Sequence, residues 1–302
     1  MLGDAAIFIA QERGYFAEQN IELATQQMTS ITDEIPLLAT NKLEVGSGAD
    51  SAGLFNSLAD NLGLRLVADN ASTAPGHGGG ALVIRKDLAD AVKTPADLKG
   101  KKIGILPGTG TTSQIYLDKL LTPAGVAIGD VTTLPLPFPD MVTALANKSA
   151  DLAIEVEPFL SAGTQRGIWS SFKDIGDIYP NQEANVMVFS ADFANKRPDV
   201  AKRFMIARVK AARDYNDAFF KNKNRDAVVA ILAKNTTIKD PAAYANLDFS
   251  TMNPDGRVFT DSLNFDQNWF ADHGYVKTKA DLTKTVDNSF ADSAVATLGK
   301  YQ

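Results

Sequence analysis

Apolar and polar positions alternate along this chain in two rhythms. Over residues 5–17, "AAIFIAQERGYFA", the spacing predicts a helix that stops at Gly14, a residue suited to a helix end. From Ile21 the run "IELATQQM" reads as a short strand. "TDEIPLLATNKLEVGSGAD" then gives a second helix and the compact strand "LEVGSG", "SAGLFNSLADN" a third helix, and "LRLVADNAS" a third short strand. Strands alternating with helices over short connections imply a largely parallel sheet covered by helices.

A second series begins at Gly78 with the strand "GGGALVIR". It continues through "KKIGIL", a helix from about Thr112 to Leu121, the strand "VTTLPL", the helix "DMVTALANK" and the strand "ADLAIEVEPF". A further apolar run, "ANVMVFSADF", starts at Ala184. Beyond Ala191 the pattern is almost wholly helical. Val200, Phe204, Ala207, Ala211, Tyr215 and Phe219 recur at three- and four-residue spacing as one apolar face. Pro198 suits the first turn of that helix. Shorter helices are predicted near 225–234, 259–271 and 288–298.

The fold class is therefore α/β: two α/β lobes with a central cleft, joined by two crossing strands near 78–85 and 183–190. Lobe 1 is discontinuous, residues 1–78 plus 189–302, and lobe 2 is residues 79–188. A length of 302 residues agrees with two cores rather than one. Ligands of open α/β sheets sit beyond the carboxyl ends of the strands, so both lobes direct those ends at the cleft.

Composition narrows the chemistry. Charged residues make up 22% and the formal net charge is −6, with no basic stripe of the kind nucleic acid requires. The chain has no cysteine, which removes disulfides, thiolate metal sites and cysteine nucleophiles. No apolar stretch approaches the ~18 residues of a membrane span. The two histidines, His77 and His273, stand in no metal-ligand spacing, and no G-x-S-x-G elbow occurs. No metal, cofactor or catalytic residue is assigned.

What remains is a set of strand-end loops. Thr109, Gly110, Thr111 and Thr112 follow the run "IGIL" and open a helix, where unpaired N–H groups and the helix dipole favour an anion or acceptor. The lysine of a phosphate-transfer loop is absent, and so is the third glycine of a dinucleotide fingerprint. A plain helix cap is the competing explanation. Gly48 and Asp50 end another strand, and Asn70 a third. Glu155 and Glu157, two apart on a strand, would share a face, as a ligand contact or an acid–base pair. His77 precedes the crossing strand. Phe138 could stack on a ligand or pack in the core.

Five stretches, in order over almost the whole chain, resemble the periplasmic solute-binding proteins of ABC importers, of the nitrate/sulfonate/taurine and thiamine-pyrimidine type. They are "FIAQERGYFAEQNIEL", "TPADLKGKKIGI", "GTGTTS", "ALANKSADLAIEVEPF" and "FANKRPDVAKRF". The resemblance implies a type II binding protein, periplasmic and monomeric, that closes on a small organic ligand and docks to a membrane permease with its ATPase. Its pocket would comprise Asp4, Asp50, Asn70, Thr109 to Thr112, Glu155 or Glu157, and Asn185. The ligand would be a sulfonate, carboxylate or pyrimidine-like solute, and the lack of a placed arginine favours a neutral, zwitterionic or singly charged one. An enzyme using Glu155 or Glu157 with His77, and a stand-alone ligand sensor, are the alternatives. The sequence departs from the family in three ways. Little precedes the first helix, so a first strand and an export signal are expected to be missing from this chain. Val156 stands where many relatives have tryptophan, and the cysteine motif of the pyrimidine-synthase relatives is missing.

Overall fold

The computed structural model describes residues 2–28, 30–108 and 110–302. By internal contacts the chain forms two units. The first comprises 1–72, 183–244 and 252–302, and the second 73–182 and 245–251.

The first segment opens with α1 (Ala5–Glu12), which buries Ala5, Ala6, Ile9 and Ala10. Gly14 turns the chain at φ +75°, and α2 (Tyr15–Glu18) follows. The Ser30 hydroxyl accepts from Asp33 N and starts α3 (Ile31–Ala39). β1 (Val45–Ala49) leads to α4 (Ala52–Ala59), capped by Ser51, and β2 (Arg65–Ser72) closes the segment. The strand expected from Ile21 does not form among the described residues. Its alternation fades after Leu23, most of the run is exposed, and no neighbouring strand pairs with it.

The second unit contains β3 (Gly80–Arg85), β4 (Lys102–Ile105), α5 (Thr112–Leu121), β5 (Thr132–Pro135), α6 (Phe138–Ala146) and β6 (Leu152–Val156). It continues with α7 (Phe159–Gln165), β7 (Trp169–Asp174) and α8 (Ile175–Ile178). The chain then enters β8 (Glu183–Phe189), α9 (Ala191–Lys196) and α10 (Pro198–Phe220), followed by α11 (Arg225–Asn235), α12 (Thr260–Asp272), α13 (Leu282–Thr285) and α14 (Ser289–Leu298). The three late helices read from the sequence thus form within a residue or two of their expected ends.

Neither sheet is largely parallel. The first has order β1-β8-β2, with β8 antiparallel to both neighbours. The second has order β5-β4-β6-β3-β7, in which β5 and β6 pair parallel with β4, while β3 pairs antiparallel with both β6 and β7. Helical crossovers account for the parallel pairs. β3 and β8 arrive from outside those crossovers and enter each sheet the other way round.

The same two strands correct the domain boundaries. β8 belongs to the first unit rather than to residues 79–188, because β1 and β2 flank it. β3 lies wholly inside the second sheet. The chain changes units at Ser72/Thr73 and Gln182/Glu183, outside both strands, and lends residues 245–251 to the second unit. At the first change Thr73 N donates to Gln182 O at 3.1 Å, and Gln182 N donates back to the Thr73 hydroxyl at 3.0 Å.

Each unit has its own core. In the first, Phe189 at the end of β8 meets Phe193, Phe204 and Phe290 edge-on at ring distances of 4.9, 5.7 and 5.4 Å. Phe204, Ala207, Ala211 and Tyr215 of the α10 face are buried as expected, and Val200 and Phe219 are half-buried. In the second, Ala81, Val83 and Ala153 of the sheet pack under Met141, Leu145 and Leu160 of α6 and α7, beside Trp169. Among the described residues no helix is long and apolar enough to cross a membrane.

Candidate functional site

In the first unit three of the expected ligand residues come together. Asp4 closes a short turn before α1, which places its carboxylate at that helix's positive end. Its Oδ1 accepts from the Ser47 hydroxyl at 2.7 Å and from Asn70 Nδ2 at 3.4 Å. Asn70 Nδ2 also donates to Asn185 Oδ1 at 3.2 Å. Register explains the convergence: Asn185, near the start of β8, stands opposite Ala49 at the end of β1 and Ala71 near the end of β2. Ser47, a residue that no sequence pattern singled out, is fixed by its backbone N–H donating to Glu34 Oε2 at 2.9 Å. Burial pushes the Glu34 carboxyl up to about 7. Asn70 is fully buried, and its Oδ1 makes no hydrogen bond.

Gly48 and Asp50 are occupied with structure. A Cβ on Gly48 would stand 2.4 Å from the Ile31 Cβ, so this glycine lets α3 press onto β1. Asp50 is 1% exposed and belongs to a buried set of carboxyls. Burial raises its proton affinity far above the usual carboxylate range, and the carboxyls of Asp266 and Glu183 add to this. Asp69 and Glu183 face each other in a second buried pair, and both are raised by burial. Such pairs cannot both ionise at close range and share protons instead. The fully buried Arg208 lies beside the second pair, its guanidinium donating to the Asp69 carbonyl. Ser72 donates to Asp69 Oδ2 at 2.9 Å, and Phe259 N donates to Glu183 Oε2 at 2.8 Å. Among the described residues no group of three or more His, Asp and Glu side chains is arranged to hold a metal ion.

Arg208, Glu183 and Asp266 escaped the sequence reading, yet one cue was present. Arg208 lies four residues after Phe204 and three before Ala211, within the apolar stripe of α10. Asp266 stands likewise between Leu263 and Phe270 on α12. A charge inside an apolar stripe marks a buried, partnered group.

In the second unit the loop after β4 is capped from within. Gln114 Oε1 accepts from Gly110 N at 3.0 Å and from Thr111 N at 3.1 Å, so the first-turn side chain takes two of the donors that a ligand would use. The Thr111 hydroxyl is buried and makes no hydrogen bond, and Thr112 begins α5 half-buried. Thr109 lies outside the described residues.

Glu155 and Glu157 do not form the pair that a two-residue period suggests. β6 ends at Val156, which frees Glu157 from the strand's alternation. Glu157 accepts from the Ser161 hydroxyl at 2.7 Å, Ser161 N at 3.2 Å and Asp248 N at 2.9 Å. It thereby starts α7 and ties down the 245–251 segment. Glu155 is fully buried, and neither of its oxygens makes a hydrogen bond. Burial pushes it up to about 8, with the nearby Val156 N–H a smaller opposing influence. Neither glutamate shifts the other.

Phe138 stacks on Phe159 with ring centroids 6.2 Å apart and planes at 22°, both half-buried against the core. His77 is exposed in the turn it closes with Ala74, each backbone N–H donating to the other's carbonyl. Arg85 is taken by Asp87 at 2.9 Å and Asp151 at 3.4 Å, and Arg166 is exposed.

Known proteins share this architecture. The chain superposes on the periplasmic aliphatic sulphonate binding protein SsuA from Escherichia coli with a TM-score of 0.75 at 19% identity, covering 94% of this chain and 89% of that one. It superposes on the periplasmic nitrate-binding protein NrtA from Synechocystis PCC 6803 with a TM-score of 0.75 at 14% identity, covering 98% and 86%. The fold is thus the α/β fold of periplasmic binding proteins. By sequence the chain is 25% identical over 236 residues to a protein of Brucella abortus (strain 2308) named as a binding protein, covering 77% of this chain and 67% of that one. It is also 25% identical over 220 residues to the 4-amino-5-hydroxymethyl-2-methylpyrimidine phosphate synthase of Schizosaccharomyces pombe (strain 972), covering 69% of this chain and 60% of that one. The relatives therefore include both binding proteins and an enzyme. Residues 4–217 match the family model described as NMT1/THI5 like, and the chain belongs to that family.

Proposed function

We propose that this protein is the solute-binding component of an ABC importer. It captures a small organic solute in the periplasm, as a monomer, and delivers it unchanged to a membrane permease served by an ATPase. The observation that carries this reading is the convergence of Asp4, Ser47, Asn70 and Asn185 at the strand ends of the first sheet. Ligands of α/β sheets bind there, and the fully buried Asn70 Oδ1 is an acceptor left for a donor from outside the chain. The likeness to sulphonate- and nitrate-binding proteins and to the Brucella binding protein supports it.

Two of the three residues of the enzyme alternative are held elsewhere. Glu157 holds α7 and the 245–251 segment, and His77 sits exposed in its own turn. A general base must reach the proton it removes. Native mass spectrometry of the freshly purified protein tests the proposal. A small molecule bound one to one, and recovered chemically unchanged after prolonged incubation, is the expected result. Conversion of that molecule to a new mass would replace the transport reading with the enzyme one.

A further inference from the structure

Three glycines stand in a row where the chain enters β3, and each is pressed by a different element. A Cβ on Gly78 would stand 2.5 Å from Gly176 N at the start of α8, and one on Gly80 would stand 2.6 Å from the Glu155 carbonyl oxygen of β6. A Cβ on Gly79, where φ is +65°, would stand 3.1 Å from the Ser250 Cβ. Gly79 is thus the seat of residues 245–251, the length of chain that joins the second unit after Tyr244 and leaves it before Met252.

A closed ring of hydrogen bonds holds this strap on its seat. Asp248 N donates to Glu157 Oε1 at 2.9 Å, Glu157 N donates to Gly79 O at 3.1 Å, and Gly79 N donates to the Asp248 carboxyl. The Ser161 hydroxyl lies 2.7 Å from Asn246 O. Residues 247–250 belong to no helix or strand, so side chains and turns hold them rather than a ladder.

A second carboxyl faces the strap. Asp174, at the end of β7, accepts from Gly176 N at 2.7 Å through Oδ1 and lies within hydrogen-bonding reach of Asp248. Asp248 Oδ2 is buried and meets no N–H or hydroxyl donor. Two carboxyls so placed attract only while one of them carries a proton, and they repel once both are ionised. Burial, then Asp174, then Glu157 push Asp248 up to about 7, so its charge changes near neutral pH. Burial raises Glu157 as well, against its three donors. Lys173, the charge beside Asp174 on β7, is paired with Asp177 at 3.4 Å.

We propose that residues 245–251 are a proton-operated strap, seated on Gly79 while Asp248 gives a proton to Asp174 and lifted when both carboxyls are ionised. Lifting leaves the chain crossings at 72/73 and 182/183 in place and turns the third length of shared chain into a loose loop. The strap answers to pH whether or not the protein carries a solute.

Hydrogen exchange of the full chain, read by mass spectrometry at pH 6 and pH 8 and corrected for the intrinsic pH dependence of amide exchange, tests the strap. Asp248 titrates at 3.8 when free and about 7 when seated, so seating is complete below the first value and weakens as pH rises through the second. Protection of residues 245–251 should fall about tenfold from pH 6 to pH 8. At both pH values they should exchange ahead of β4, since the opening is local. Asp248→Asn, which donates to Asp174 without ionising, should hold the change within about threefold and protect the strap better than the wild type at pH 8. If that variant does not fold, Asp174→Asn decides, and should shrink the fall to about fivefold or less. Protection that is equal at the two pH values, a fall that the variant retains in full, or exchange of 245–251 only together with β4 overturns the proposal.

Discussion

In the first unit Asp4 is met by Ser47 and Asn70, Asp50 by Asp266, and Asp69 by Glu183 with Arg208 alongside. In the second, Glu155 is as fully buried as Asp50, Asp69 and Glu183, and no second titratable side chain acts on it, only the Val156 N–H. The buried Asp69–Glu183–Arg208 group is therefore part of the scaffold, and breaking it should unfold the first unit. The Glu155 carboxyl of the second unit is unspent, and removing it should leave the scaffold standing or strengthen it. The two halves of one chain thus use the same chemistry for opposite ends.

The largest expected effect breaks the paired side. Arg208→Met leaves Asp69 and Glu183 buried without their cation and should cost about 3–5 kcal/mol in urea unfolding. Adding Glu183→Gln removes one of the stranded carboxyls and should return part of that loss. A single variant within about 0.5 kcal/mol of wild type would show that the first unit does not depend on its pairing.

The next compares the two sides through pH. Glu155 titrates from 4.5 in the free state to about 8 when folded, so the folded protein binds the extra proton between those values. Its contribution is complete below pH 4.5 and is lost as pH rises to 8. Glu34 and Asp248, both raised to about 7, act in the same direction. Stability should fall from pH 5 to pH 8, with Glu155 supplying at most about 1.4 kcal/mol per pH unit. Glu155→Gln should match the wild type near pH 5 and exceed it by about 2–4 kcal/mol at pH 8. A difference between the two proteins that does not grow with pH contradicts the buried, solitary carboxyl.

How much of this was legible in the sequence follows from what sequence periodicity records. It records burial of a face, and so the α10 stripe and most elements were readable. It does not record which strand lies beside which. "ANVMVFSADF" is apolar on both sides because β1 and β2 flank it, a fact that belongs to the first sheet although the run follows the second. The edge strand β7 was missed because its residues after Trp169 are polar or exposed on one side. Of the site, Asn70 was reached from its strand-end position and Asp4 and Asn185 through family resemblance, and register shows why they meet. Asp50 was read as a ligand contact from its strand-end position and the family resemblance. Burial among carboxyls cannot be seen from that position, since Asp266 and Glu183 are more than a hundred residues away in the chain.

Packing sharpens the contrast at a smaller scale. Gly48→Ala drives a methyl group to 2.4 Å from Ile31 Cβ and should cost about 2 kcal/mol. Ile31→Ala in the same chain should recover part of it, giving a coupling energy in a double-mutant cycle. Additive losses would mean that Gly48 serves the backbone or a ligand rather than the contact with α3.

The smallest effect concerns the loop after β4, where the second unit does satisfy its polar groups. Gln114 occupies Gly110 N and Thr111 N, which makes this turn a helix cap. Gln114→Ala should cost about 1 kcal/mol of stability, the ordinary worth of a capping side chain. Its effect on solute binding separates two roles for the turn. If the side chain gives way when solute arrives, the variant frees two donors and binds more tightly, while Thr111→Ala with Thr112→Ala binds more weakly. If the cap persists, Gln114→Ala loses stability and affinity stays unchanged, and the double threonine variant is silent as well.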